Sequence, residues 1–499
     1  MQTILKMLHL DNIESMSPKK KLFYGLLLWI SISFGYTLFV VNFGFSGLLN
    51  GGGKGTPGVL GHFNIENNAA FQLTNQATNW GITIGRGIGS ILVAVILTRL
   101  AHRWTVIIAF ILTLIGIPAQ WIFPASQGGY VGFVIFRTLM AIGGTMLIIL
   151  TQPVVARFFN AKTKSIVSQF GIWFFPLGSI ITVVTFLAAN PNDVKSAWQI
   201  IFTVISALNI IPLLIFIFVG SRFGIKTAQE RAKEPNPFVF LWMYLKKKQT
   251  YIWILVYGGW LCAVVLPQVL SKRLFIDLTT LRNFDKATKE IASAPLEKLI
   301  NIWLVIYWAA VFLGPITIGL WSRFKLKRKL YQVFALTFGI LFYIFSMVVF
   351  TKWIVPSNGS IGSQVIFYIF AFITGLCLWG IQGVMLNLPH EYPERDPQTI
   401  GWMFSLIWGF GYLMFTVGLI IISAVTLIGK SVNPVAAGQV DPNTLKYSII
   451  QFILIIVFGL ISVLGTLLLR EPDPNAESMP SWMKKIFGFL GKRKNLDKN

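Results

Sequence analysis

The chain has 499 residues, of which 55% are hydrophobic and only 12% charged, and its mean hydropathy is +0.69. A soluble protein carries roughly 25% charged residues, so this composition excludes a water-soluble globular fold and puts most of the chain in lipid. The net charge of +24 would suit a nucleic-acid binder, but the basic residues lie between long apolar runs, which argues against nucleic acid as a partner.

A bilayer core is about 30 Å thick and a helix rises about 1.5 Å per residue, so apolar runs of about 20 residues are the unit to count. Twelve occur, near 22–45, 74–98, 104–124, 129–155, 165–189, 198–219, 250–271, 300–321, 330–351, 363–388, 399–427 and 447–469. Lys19, Lys20 and Lys21 precede the first run, which is too long for a signal peptide and reads as a retained helix. With the N-terminus inside, 29 of the 42 Lys and Arg are cytoplasmic, 11 external and 2 within helices. This pattern predicts a multi-pass protein of the cell (inner) membrane with both termini cytoplasmic.

Six of the external bases fall in 272–299, where Phe275, Ile276, Leu278 and Leu281 among charges predict an amphipathic helix or cap beside a cavity mouth. A hydrophilic stretch, 220–249, divides the runs six and six. The chain thus reads as an N-terminal half (1–219), a cytoplasmic linker, a C-terminal half (250–470) and a basic tail (471–499). The tail interleaves Trp482, Ile486, Phe487 and Leu490 with Lys484, Lys485, Lys492 and Arg493, a pattern that lies on anionic inner-leaflet lipid. Cys262 and Cys377 fall inside spans and offer neither a disulfide framework nor metal spacing.

The turn after the second run of each half is Thr98-Arg99-Leu100-Ala101-His102-Arg103 in the first and Ser322-Arg323-Phe324-Lys325-Leu326-Lys327 in the second. Both resemble the loop Gly-x-x-x-Asp-Arg-x-Gly-x-Arg-Arg of the major facilitator superfamily, without its Asp and second Gly. In the fourth run, Arg137-Thr138-Leu139-Met140-Ala141-Ile142-Gly143-Gly144-Thr145 resembles the superfamily pattern Arg-x-Leu-x-Gly-x-Gly-x-Gly. There is also a general likeness to the mollicute-type branch labelled hexose-phosphate transporter-like. The resemblance implies an all-α membrane protein of twelve transmembrane helices in two six-helix halves, a transporter rather than an enzyme, working by alternating access. It gives Arg99, Arg103, Arg323 and Lys327 a gating role; the alternative is that they anchor the chain to lipid phosphate.

Charges inside a membrane are costly and usually functional, and only two lie deep in the runs: Arg86 and Arg137. Arg86 is roughly 18 Å from either end of its run and Arg137 roughly 12 Å below its outer end, by helix rise. All 18 acids fall in loops, tails or helix ends, so no internal carboxylate answers these arginines. Unneutralised guanidiniums favour an anion, because their planar forks match phosphate and carboxylate oxygens. Phosphate-ester exchangers of the superfamily carry Arg in the first and seventh spans, where this chain has none. Polar and aromatic residues at helical spacing complete the candidate solute site: Tyr36, Gln169, Trp173, Tyr257, Trp260, Gln268, Trp379 and Gln382. Gly81, Gly85 and Gly89 form a stripe read as helix packing.

His9, His62, His102 and His390 sit at ends or in loops, so no buried group is available for proton coupling, and exchange or facilitated diffusion is expected. The preferred reading is a secondary transporter of a small organic anion, a sugar phosphate or other phosphorylated metabolite. The alternatives are a facilitator or proton-coupled carrier of a neutral sugar, nucleoside or drug-like solute, and a membrane receptor or scaffold that moves nothing. No cofactor, metal, soluble ATPase domain or oligomer is implied.

Overall fold

The computed structural model describes residues 16–471 and 475, except 52, 67–73, 75, 101, 160–166, 168–169, 221–235, 280–285, 315–316, 318–326, 356–359, 383, 386–396 and 433–441. Among the described residues the regular structure is entirely helical. We name the helices α1 (Pro18–Leu48), α2 (Ala77–Arg99), α3 (His102–Leu114), α4 (Gln127–Phe158), α5 (Phe174–Ala188), α6 (Trp198–Ala207), α7 (Ile210–Val219), α8 (Pro237–Leu245), α9 (Lys248–Thr279), α10 (Lys286–Ala309), α11 (Arg328–Val349), α12 (Ile361–Gly380), α13 (Pro397–Val432) and α14 (Pro442–Leu468).

Among the described residues eleven stretches are long and apolar enough to cross a membrane, and they coincide with eleven of the twelve runs. The twelfth, the fifth run, is represented by the shorter apolar helix α5. The sixth run is two helices, α6 and α7, meeting at Leu208–Asn209. Pro212 accounts for the break, since it has no N–H to close onto the Leu208 carbonyl and its ring crowds that carbonyl. Asn209 turns its side-chain amide back onto the carbonyls of Ile205 and Ser206, at 3.4 and 3.2 Å.

Small residues let the helices approach. A Cβ on Gly85 would come within 2.5 Å of the Thr138 carbonyl oxygen, and one on Gly89 within 2.6 Å of the Ile142 oxygen. The glycine stripe is therefore the α2–α4 contact, as the sequence suggested. α1 packs on α4 and α5, α3 on α4 and α7, α9 on α13 and α14, α11 on α12 and α14, while α2 meets α13 and α5 meets α10. At one end of the bundle the 49–66 loop seats Phe63 against Tyr130, Phe133 and Trp198, with ring centroids 5.7, 5.4 and 6.2 Å away.

Three expectations need correction. The 272–299 segment is not a separate cap among its described residues: α9 continues to Thr279, α10 begins at Lys286, and Lys272 pairs with Glu297 at 3.3 Å. Phe275 is core, fully buried against Trp303, Phe350 and Phe367 at 4.7–5.6 Å, because the helix of the seventh run carries its apolar face beyond the run itself. His102 begins α3 but turns inward, its Nε2 donating to the Leu150 carbonyl at 2.9 Å. Finally, Asp277 is buried at the end of α9, accepting from the Ser448 hydroxyl at 2.9 Å. Its place at a helix end was legible; its burial depended on α14. The amphipathic tail, Gln169 and His390 lie outside the described residues.

Candidate functional site

A narrow cleft of about 30 Å³ runs between α1, α4, α5 and the α12–α13 side. Its walls are Trp29 and Tyr36 on α1, seven residues apart and so on one helical face. α4 contributes Ile148, Ile149, Thr151, Gln152 and Val155, and the chain entering α5 contributes Val167, Gly171 and Phe175. Gln382, two residues beyond α12, and Trp408 on α13 close the far side. Pro153 sits inside α4 beside these residues. It removes one N–H from the helix ladder next to the cleft, leaving the Ile149 carbonyl without its regular donor. The Gln382 side-chain oxygen is buried without a hydrogen-bond partner. No charged side chain lines the cleft among the described residues.

Arg86 stands behind this wall. It is 1% exposed and its guanidinium donates to the Tyr36 hydroxyl at 3.1 Å. Four rings enclose it: Tyr412 at 4.3 Å from the ring centroid, Phe175 at 5.3, Phe39 at 5.6 and Phe43 at 5.7. Ring faces are negative, so this box replaces the missing carboxylate by cation–π attraction. The Nε–H has no partner. Tyr36 and Phe175, which touch Arg86, are themselves cleft wall, so the charge lies one side chain from the cavity.

Arg137 is engaged differently. It donates to the Asn42 side-chain oxygen, to the Asn42 carbonyl at 2.9 Å and to the Ser46 hydroxyl, and the Phe202 ring lies 4.1 Å away. Asn42 is held in turn by donating to Ser206 at 2.9 Å. This network ties α4 to α1 and α6 with most of the guanidinium donors occupied, and Arg137 is not on the cleft.

Of the remaining candidates, Tyr36 and Gln382 line the cleft. Trp260, Trp379 and Tyr257 form an aromatic chain beside it. Trp379 lies 5.3 Å from Phe175 and 4.8 Å from Trp308. Trp260 contacts Trp379 at 5.7 Å and donates its indole N–H to the Leu378 carbonyl at 2.8 Å. Tyr257 bridges Trp260 and Trp408 at 5.5 and 5.2 Å. Trp173 packs edge-on against Phe170 and Phe312 at 4.5 and 5.5 Å, off the cleft, and Gln268 is half-buried on α9 away from it. Trp29, Gln152, Phe175 and Trp408 were missed. Gln152 was detectable as the amide at the inner end of the fourth run, by the same search that found Gln382.

The four proposed gating bases also separate. Arg103 donates to the Ile217 carbonyl at 2.9 Å, at the end of α7, where a cation meets the negative end of a helix dipole. Arg99 is exposed, and Arg323 lies outside the described residues. Lys327 flanks α11, whose first N–H groups, of Arg328 and Lys329, donate to Glu471 at 2.8 and 3.2 Å. Lys329 reaches the carbonyls of Leu467 and, at 3.2 Å, Leu469. Thus the third run is pinned to the end of the sixth, and the ninth to the end of the twelfth. Burial raises the Glu471 carboxyl above its ordinary pKa, against the lowering effect of two backbone N–H groups and two lysines.

A family profile described as Mycoplasma MFS transporter matches residues 133–427. An uncharacterised protein of Mesomycoplasma hyopneumoniae is 39% identical over 474 residues, covering 92% of this chain and 94% of that one. A major facilitator superfamily transporter of Mycoplasma genitalium is 26% identical, covering 81% of this chain and 84% of its own length. Among solved structures, a D-xylose–proton symporter aligns with TM-score 0.56 at 16% identity, over 90% of this chain and 99% of that one. The nucleoside transporter NupG aligns with TM-score 0.51 at 15% identity, over 88% and 98%. These likenesses show an all-α fold of the major facilitator type.

Proposed function

This chain belongs to the Mycoplasma MFS transporter family and is a secondary transporter of that type, and we propose that it carries a neutral, ring-bearing polar solute of the sugar or nucleoside class by alternating access. The observation that carries this reading is the cleft wall, which offers indoles, a phenol and two amides while Arg86 stays sealed behind Tyr36 and Phe175. Apolar rings stack on the faces of a sugar or base, and Gln152 and Gln382, on opposite walls, give donors and acceptors to its edge. The D-xylose and nucleoside named for the similar structures are solutes of this kind.

The halves 1–219 and 250–470 rock about this cleft in our reading, with both termini and the linker cytoplasmic. The lining residues of α1 fall before its last turns and those of α4 near its end, so the cleft opens on the side that the basic residues assign to the cytoplasm. Exchange or facilitated diffusion is the simplest coupling, because no ionisable acid stands on the cleft among the described residues.

A second reading, exchange of a small organic anion such as a sugar phosphate, is favoured by one observation: Arg86 has no carboxylate within 4 Å among the described residues and keeps an unpartnered Nε. Rotation of Tyr36 would then open the guanidinium to the cleft. Thermal-shift screening of the purified protein separates the two, since a ligand that binds only the folded state raises the melting temperature. A nucleoside or free sugar should stabilise, its phosphate ester should not, and Gln152→Ala and Gln382→Ala should abolish the shift. Stabilisation by phosphate esters alone, lost in Arg86→Gln, would overturn the neutral-solute reading. Absence of counterflow for every stabilising solute in proteoliposomes would favour a receptor.

A further inference from the structure

The stretch between the sixth and seventh runs is not uniformly hydrophilic. It contains α8, whose start is fixed by Pro237 and by the Asn236 side chain accepting from the Phe238 N–H at 3.1 Å. Leu241 and Tyr244, three residues apart, are buried against the bundle, and the Thr250 hydroxyl donates to the Tyr244 carbonyl at 2.7 Å, fastening α8 to the first turn of α9. The opposite face is apolar and bare: Phe238 is 62% exposed, Val239 65%, Trp242 63% and Met243 45%. Such a face is out of place in water, where a surface helix turns its polar stripe outward.

Position resolves this. Only Lys246 and Lys247 separate α8 from α9, which begins crossing the membrane at Lys248. At about 3.5 Å per residue the end of α8 is held within about 10 Å of the membrane boundary. The bare face therefore meets the headgroup and upper acyl layer, where tryptophan and aliphatic side chains with flanking lysines are favoured. The Lys246 ammonium stands 5.7 Å from the Trp242 ring and that of Lys247 4.5 Å from the Tyr244 ring, both lysines remaining exposed.

We propose that α8 is a docking site for anionic phospholipid, its apolar face immersed beneath the headgroups and Lys246, Lys247 and Lys248 holding the phosphates. Because α8 also packs on α2, α9 and α13, lipid docked there braces the adjoining ends of three membrane helices. The run of three positive charges selects anionic over zwitterionic lipid, each contributing about fivefold to local affinity at low ionic strength.

The test uses the full chain in nanodiscs of phosphatidylcholine alone and of phosphatidylcholine with phosphatidylglycerol, read by melting temperature. The wild type should melt higher with phosphatidylglycerol, and the gain should shrink as salt is raised. The Lys246→Gln, Lys247→Gln, Lys248→Gln triple variant should match the wild type in phosphatidylcholine yet lose most of the gain. A comparison variant, Lys54→Gln, Lys195→Gln, Lys352→Gln, which removes three bases from segments outside α8 and the tail, should keep it. A wild type without any gain, a triple variant that retains it, or a comparison variant that alone loses it would each overturn the proposal.

Discussion

Two arginines at similar depth should respond oppositely to the same substitution. Arg137→Met removes three hydrogen bonds from a charged donor, at least ~1.5 kcal/mol each, and a desolvated cation–π contact of ~2 kcal/mol. Relief of a buried charge returns ~3 kcal/mol. The net loss is roughly 3–4 kcal/mol by these magnitudes, and it leaves Asn42 and Ser46 facing a thioether. Arg86→Met removes one hydrogen bond and ring contacts of similar worth, together ~3–4 kcal/mol, against the same relief, so its cost should be within about 1 kcal/mol of zero. Unfolding of the purified variants in one detergent, followed by tryptophan emission and by retention of the monodisperse species after heating, measures the difference. The Arg137 variant should melt well below the Arg86 variant. Equal melting points, or a less stable Arg86 variant, would refute the distinction between a structural clamp and a cation held by rings.

Gly89→Ala should destabilise by about 1–3 kcal/mol, because its Cβ would meet the Ile142 backbone, which cannot give way; melting of the purified variant checks this. Glu471→Ala should cost about 1 kcal/mol at neutral pH through loss of the α11 cap, seen as a lower melting temperature, whereas Glu471→Gln, which mimics the protonated carboxyl that burial favours, should match the wild type there. Burial raises the Glu471 pKa in the folded protein, so its proton-linked stability is complete below the ordinary carboxylate value and is lost as pH rises through the raised one. The Gln variant should lack that slope. Burial lowers the His62 pKa, where the ring lies 4.8 Å from Phe63 and 5.3 Å from Trp198, so stability is full above the ordinary histidine value and falls as pH drops through the lowered one. His62→Gln should flatten melting temperature against pH in that acid window.

The membrane helices and their glycine contacts were legible because lipid demands a length and a hydropathy that a sequence displays directly. The α6–α7 break could have been read from Pro212. The cleft was harder. A tyrosine and a glutamine were found by helical spacing, yet whether a ring at such a spacing faces a cavity or a neighbouring helix depends on rotation about the helix axis, which packing sets. Trp173 and Trp408 each follow an isoleucine near the start of an apolar run, but only Trp408 reaches the cleft. Arg86 illustrates the same limit: depth and missing acids were evident, whereas the enclosing rings come from α1, α5 and α13, far apart in the chain. Glu471 was invisible as a cap because its partners precede it by more than a hundred residues.

That separation has a consequence for biogenesis. A chain made from its N-terminus delivers Arg103 to the membrane 114 residues before its acceptor, Ile217, exists, and Lys329 waits 138 residues for Leu467. Until then each cation has only lipid phosphate and water to satisfy it, and the helix it heads lacks one of its two main neighbours. Completion of α7 and then of α14 are thus two clasps that shut late, each on the last helix of its group. A nascent chain halted between Arg103 and α7 should be open to proteases and quality-control factors at that base, and should become resistant when Ile217 emerges.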